Sequence, residues 1–296
     1  MRLLSTYALR KAAWAAMALA PAGLALAVAA GAQQAPGFDP RQAEGCDADP
    51  TIEFRTLRGD DDPRLRSARW RANEPHEFYF TRAIYTDHRS RGGWRSRFQA
   101  WSTDWPKSDQ QFIFGLRRLT DLDAYACDNA VRLDDPELRR YPLLYAVEVG
   151  YMSLTDAEVQ GLRNYLLAGG FLVVDDFWGT LEWENFQYEI GRVLPEYPIV
   201  ELPMDHPVFT SFYNITEIVQ VPAINNAVRG RTWERDGYVP HVRGIFDERG
   251  RLMVLIHWNT DLGDAWEWAE QPVYPLRYST YAYQMGVNFI VYAMSH

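Results

Sequence analysis

The sequence predicts an α/β domain in three layers, a mostly parallel central sheet flanked by helices. Three observations predict it. Two short apolar runs, Tyr141–Val149 (YPLLYAVEV) and Phe171–Val174 (FLVV), are nearly continuous, as strands buried on both faces should be. Between them Thr155-Asp-Ala-Glu158 forms a capping box, opening a helix whose face is Val159, Leu162 and Leu166 and which Gly169-Gly170 closes. The strand–helix–strand span is about 35 residues, the size of a βαβ unit. Third, Tyr278–Met294 places Tyr278, Tyr281, Ala282, Met285, Phe289 and Tyr292 in helical register.

Taken in order, the chain begins with an address. Arg2, Arg10 and Lys11 precede an apolar stretch from Ala12 to Ala30, then Ala30-Gly31-Ala32, the pattern of a secretory signal peptide over residues 1–32. Export to the periplasm or beyond follows. The alternative is an inner-membrane anchor formed by residues 12–30 if the segment stays uncleaved, although Pro21 and Gly23 interrupt it. Residues 33–75, rich in Gln, Pro, Arg and Asp, read as a linker or extended arm. Residues 76–296 read as the globular domain. In an oxidising compartment Cys46 and Cys127, the two cysteines of the chain, suit a disulfide. Its loop of about 80 residues would contribute roughly 4 kcal/mol through chain entropy. Two unpaired thiols are the alternative.

Glu77–Tyr85 is β-rich, and a loop through Trp94, Trp101 and Trp105 follows. Ser108–Leu119 reads as a helix with Ser108 as N-cap and Phe112, Leu116 and Leu119 on one face. After the βαβ unit, Leu181–Leu194 reads as a helix and Ile199–Leu202 as a strand. Val242–Phe246 and Arg251–Trp258 flank Asp247-Glu-Arg-Gly250, a hairpin signature.

Composition bounds the function. The chain has 296 residues, 47% hydrophobic and 23% charged, which excludes a disordered, collagen-like or polytopic membrane protein. The net charge is −9, and removing residues 1–32 takes away three bases and no acid, leaving −12. That charge argues against nucleic-acid binding through phosphate neutralisation. No dinucleotide, P-loop, HExxH, CxxC or GxSxG signature is present, and no cofactor is expected.

Four constellations could carry chemistry. Asp175-Asp176 directly follows FLVV, where open α/β sheets place ligands, and paired acids can share a proton or hold a cation. The structural alternative is a cap for the next helix. Asn259, Asp261, Asp264 and Glu267, with Trp266 and Trp268, follow the strand ending at Trp258 and suit a polyol or an oxygen-ligated cation. A hairpin running the other way would put them on the opposite rim, and a capped turn is the structural reading. Asp205-His206-Pro207 offers a restrained imidazole as base or ligand, or a mere turn. His257 is expected to face outward from its strand. Trp101, Asp104 and Trp105 would make a stacking platform if the indoles are exposed, and satellite core if they are not. Crowded acids at the rim call for an Arg, a donor or a cation among them.

The order of FYFTRAIY, WSTDWPKSD, YPLLYAVEVGYMSLTDAEVQGLRNYLLAGGFLVVDDFWG, DHPVF, RGIFDERGRLMVLIHWNTDLGDAWEW and MGVNFIVYAM resembles the bacterial family known as domain of unknown function 4159. The resemblance spans roughly residues 78–293. It implies a class I glutamine-amidotransferase-like, flavodoxin-like fold, and links the chain to MoxR-type ATPases and von Willebrand-type envelope proteins as partners. It carries over no catalytic residue. Active amidotransferases present a nucleophilic Cys on a tight elbow, whereas this strand ends in Val174-Asp175-Asp176-Phe177. The expected function is therefore an exported, non-catalytic binding or assembly module, with a small polyol as possible ligand. The alternative is a hydrolase of polyols or cell-envelope glycans, carboxylate- and His-based (Asp175, Asp176, His206) or cation-dependent. Which metal such a site would hold is left open.

Overall fold

The computed structural model describes residues 76–88 and 99–296. The expected signal peptide and arm, with Cys46 and Trp94, lie outside the described residues. Among these residues seven strands form one sheet in the order β2-β1-β3-β4-β7-β6-β5. They are β1 (Thr81–Ile84), β2 (Asn129–Arg132), β3 (Leu143–Val147), β4 (Phe171–Asp175), β5 (Ile199–Glu201), β6 (His241–Phe246) and β7 (Leu252–Trp258). The pairs β1–β2, β1–β3, β3–β4 and β4–β7 are parallel, while β5–β6 and β6–β7 are antiparallel. The fold is thus α/β with a mostly parallel, mixed sheet.

The two apolar runs lie side by side, Leu143 opposite Phe171 through Val147 opposite Asp175. Their residues alternate between two cores. Leu144, Ala146, Leu172 and Val174 join Leu162, Leu166, Phe186 and Ile190 on one face. Leu143, Tyr145, Val147, Phe171 and Val173 join Phe112, Leu116, Trp266, Met285 and Phe289 on the other. Both faces are covered, so the strands read as continuous rather than alternating apolar runs.

Among the described residues six α-helices supply the covering layers: α1 (Lys107–Leu119), α2 (Asp156–Leu167), α3 (Gly179–Val193), the single turn α4 (Ile224–Ala227), α5 (Leu262–Glu267) and α6 (Leu276–Ser295). Helix α2 begins as its sequence predicts. Glu158 N donates to Thr155 Oγ1 at 3.3 Å, and Thr155 N donates to Glu158 Oε2 at 2.8 Å. The other Glu158 oxygen accepts the Thr86 amide at 2.8 Å, tying the cap to the chain leaving β1. Gly169, at φ +115, closes the helix where an L side chain would be strained.

Two expectations are corrected. Ser108 does not cap α1: Pro106 does, without a side-chain bond, and Ser108 is buried against Arg82 and Asp109. Helix α3 starts at Gly179, two residues before the expected Leu181, with Trp178 as N-cap and no side-chain cap bond. Strand β2 is four residues, NAVR, on the rim of the sheet, too short for an apolar period to announce it. Cys127 is buried and disulfide-bonded.

Candidate functional site

The carboxyl ends of four parallel strands deliver one group of acids. Glu148 follows β3, Asp175 and Asp176 end and follow β4, and Asp261 and Asp264 follow β7. Asp104 arrives on the long connection after β1, at the turn into α1. Asp261 reaches this rim because β7 runs parallel to β4, with Val174 opposite Ile256. The opposite-rim alternative is excluded.

Backbone strain marks the same edge. Asp104, Glu148, Asp176 and Asn259 have φ between 52 and 61, four of the five non-glycine residues in the left-handed region among the described residues. Asp and Asn tolerate that conformation best, and such outliers gather at functional sites.

Asp175 forms the floor. Fully buried, it accepts on Oδ2 from the Tyr145 hydroxyl at 2.7 Å, the Leu262 amide at 2.7 Å and the Gly263 amide at 3.2 Å. Burial pushes its carboxyl up to about 7, against the pull of those donors. Its Oδ1 is buried and accepts no hydrogen bond.

Around that floor Asp104, Asp176 and Asp261 bring carboxylate oxygens within 4.8 Å of one another, and so do Asp104, Asp264 and Glu267. Asp176 Oδ1 accepts from the Trp178 indole at 3.0 Å, and Asp261 Oδ1 accepts from the Asp264 amide at 2.7 Å. Asp264 is better provided, accepting from the Ile224 amide and from the Trp268 indole. Burial raises Asp104, Asp176 and Asp261 well above the usual carboxylate range, and repulsion among neighbouring acids adds to it. For Asp104 the neighbours are chiefly Asp264 and Glu267. Glu267 rises to about 7, from burial first and the Asp264 charge second, although Lys107 Nζ stands 3.8 Å from it.

The expected arginine is present but engaged elsewhere. Arg82 is buried under the loop, pairs with Asp109 and donates to the carbonyls of Trp101 (3.4 Å) and Thr103 (3.1 Å). Its charge favours ionised Asp104 only from a distance.

Other candidates fall outside the group. Trp101 is 1% exposed, its indole donating to Gln99 Oε1 at 2.6 Å, and Trp105, half-buried, packs 5.6 Å from it. The pair is satellite core, not a platform, because Asp87 receives the Ala100 amide at 2.7 Å and draws the turn inward. Asn259 is spent on structure, accepting from the Gly179 amide and donating to the Val239 carbonyl. His206 packs against Phe246 and Tyr292, and Tyr292 packs on Phe171, the first residue of β4. That is the amino edge, roughly 13 Å from Asp175 at 3.3 Å per strand residue, so a mechanism shared by Asp175, Asp176 and His206 is excluded. His257 is wholly buried, contrary to expectation, because helices cover both faces of β7. His241 sits at the end of β6 and bonds Glu201 at 2.9 Å.

Tyr145 and Glu148 belong to none of the four constellations visible in the sequence. The one signal is their polarity inside YPLLYAVEV, a run otherwise apolar.

Fold and rim together define a three-layer α/β domain with a carboxylate-lined site at the carboxyl edge and no Cys, Ser or Thr at the end of β4. The chain belongs to the domain of unknown function family DUF4159, whose profile matches residues 94–294. No curated protein matches it. Among the described residues no helix is long and apolar enough to cross a membrane.

Proposed function

We propose that this chain is an exported, non-catalytic binding or assembly module that uses a class I glutamine-amidotransferase-like scaffold without that scaffold's chemistry. Its ligand or partner is taken at the acid-lined carboxyl edge. The observation that carries the reading is the end of β4. Where an amidotransferase-like enzyme needs a nucleophile the chain has Val174-Asp175-Asp176-Phe177, and the Asp175 carboxylate is held by Tyr145 and two amides. Cys127 is disulfide-bonded and His206 lies at the other edge, so neither supplies a thiolate or a base there. Export rests on the basic, apolar and A-x-A pattern of residues 1–32. With residues 12–30 retained, the same module would stand on the inner membrane. The family resemblance supports an envelope protein of the von Willebrand type, served by a MoxR-type ATPase, as partner, and the acidic rim supports a small polyol as ligand.

One observation favours a second reading, a cation-dependent hydrolase of polyols or envelope glycans. Asp175 and Glu267, both raised to about 7, are in the range of a general acid or base at neutral pH. A single assay separates the two. Purified protein is incubated with peptide, ester and envelope-glycan substrates, with and without divalent cations. In parallel, its association with a von Willebrand-type envelope protein of the same genome is followed by analytical ultracentrifugation. Association without product release is expected. Turnover that disappears in Asp104→Asn would replace the binding reading with the hydrolytic one.

A further inference from the structure

Among the described residues the aspartates of the rim are unequally compensated. Asp264 has donors on both oxygens and Glu267 has Lys107 nearby. Asp176 and Asp261 each accept from one donor, the Trp178 indole and the Asp264 amide, and among the described residues the Asp104 carboxylate accepts no hydrogen bond. Among the described residues none of Asp104, Asp176 and Asp261 forms an ion pair. Three ionised carboxylates packed this closely repel one another unless something positive stands among them.

Two further observations point to what that is. The first is Asp175 Oδ1, fully buried and without a hydrogen-bond partner, on the carboxylate whose charge acts on both Asp176 and Asp261. A buried carboxylate oxygen without a donor is costly unless a ligand uses it. The second is Gly263. A Cβ there would stand 3.3 Å from the Tyr145 hydroxyl, 3.4 Å from Asp104 Oδ2 and 3.5 Å from Asp261 Oδ1. Oxygens of three residues thus converge on this one backbone position, next to the hydroxyl that binds Asp175.

The donor set is oxygen only, which selects a hard cation over zinc or copper. Calcium takes oxygens at about 2.3–2.6 Å, so two ligands of one ion can be up to about 5 Å apart. The 4.8 Å grouping of Asp104, Asp176 and Asp261 meets that limit. We propose that Asp104, Asp176 and Asp261, beside the buried Asp175 carboxylate, form a binding site for a hard divalent cation, calcium or magnesium. Asp104 also faces Asp264 and Glu267, which places it as the common ligand of the rim. The proposal rests on the rim being the functional edge, but not on whether the module is catalytic.

The test is thermal unfolding and calorimetric titration of the purified chain, stripped with EDTA, against calcium, magnesium and zinc separately. Asp104→Asn is the main variant, because asparagine tolerates the φ of +60 at this position. Asp205→Asn, beside His206 at the other edge, is the control. Calcium or magnesium is expected to raise the wild-type midpoint by at least 5 °C with a saturable heat. In Asp104→Asn the metal-free midpoint should be equal or higher, since repulsion is relieved, while affinity for the cation drops at least tenfold. Asp205→Asn should behave as wild type. Absence of any shift with calcium and magnesium overturns the site, as does a response to zinc alone or one that Asp104→Asn leaves unchanged. If Asp104→Asn fails to fold, Asp176→Asn is read by the same criteria. Cation binding together with glycan turnover would sustain this site while removing the non-catalytic reading, so the two can fail separately.

Discussion

Replacing His257 by leucine tests how this core treats charge. His257 lies in the middle layer on β7, opposite Val242 of β6, and neither ring nitrogen has a hydrogen-bond partner. Burial alone lowers its pKa from 6.5 to about 3. The unfolded chain therefore binds a proton below pH 6.5 that the folded chain refuses. Stability from this group is complete above pH 6.5 and is lost as pH falls toward 3. At pH 5 the loss is about 2 kcal/mol, from 1.5 pH units at about 1.4 kcal/mol each. For a domain of this size that is roughly 4–8 °C of melting temperature. Leucine, of similar volume, removes the proton and also two buried nitrogens without partners, a relief of about 1–3 kcal/mol at any pH. Calorimetric melts of both proteins at pH 7.5, 6.5, 5.5 and 5.0 give the difference directly, because every other titrating group is common to the two. The variant should melt higher at pH 7.5, and its advantage should widen by roughly 4–8 °C by pH 5. Parallel curves, or a variant less stable at pH 7.5, would refute the claim that the imidazole is buried neutral and unpaired.

Two further outcomes follow from packing. Arg82→Met leaves Asp109, buried with it, without its base, and should destabilise by about 3–5 kcal/mol in urea unfolding; adding Asp109→Leu should recover most of that. A double variant no more stable than the single one would show that the pair does not act as a unit. Gly161→Ala should lower stability by about 1–3 kcal/mol although alanine favours helix, because its Cβ would come 2.0 Å from the Leu133 carbonyl oxygen. A stabilised variant would mean that the backbone around Leu133 gives way freely.

Local chemistry announced much of the fold. Continuous apolar runs can only be strands covered on both faces, and Leu143–Val147 and Phe171–Asp175 are such strands. Thr155 and Glu158 cap α2 through bonds that reach three residues, so their sequence suffices. The acids of the site were legible for the same reason: Asp175, Asp176, Asp261 and Asp264 each follow an apolar run that had to be a strand. Tertiary structure alone decided which acids meet. Asp261 joins Asp176 because β7 pairs in parallel with β4, a contact between residues some eighty positions apart that no local pattern encodes. The same kind of contact buried Trp101 under the turn held by Asp87, put His206 at the far edge, and turned His257 inward where strand alternation predicted solvent. Alternation reports a face only when that face meets water, and in this sheet helices cover both.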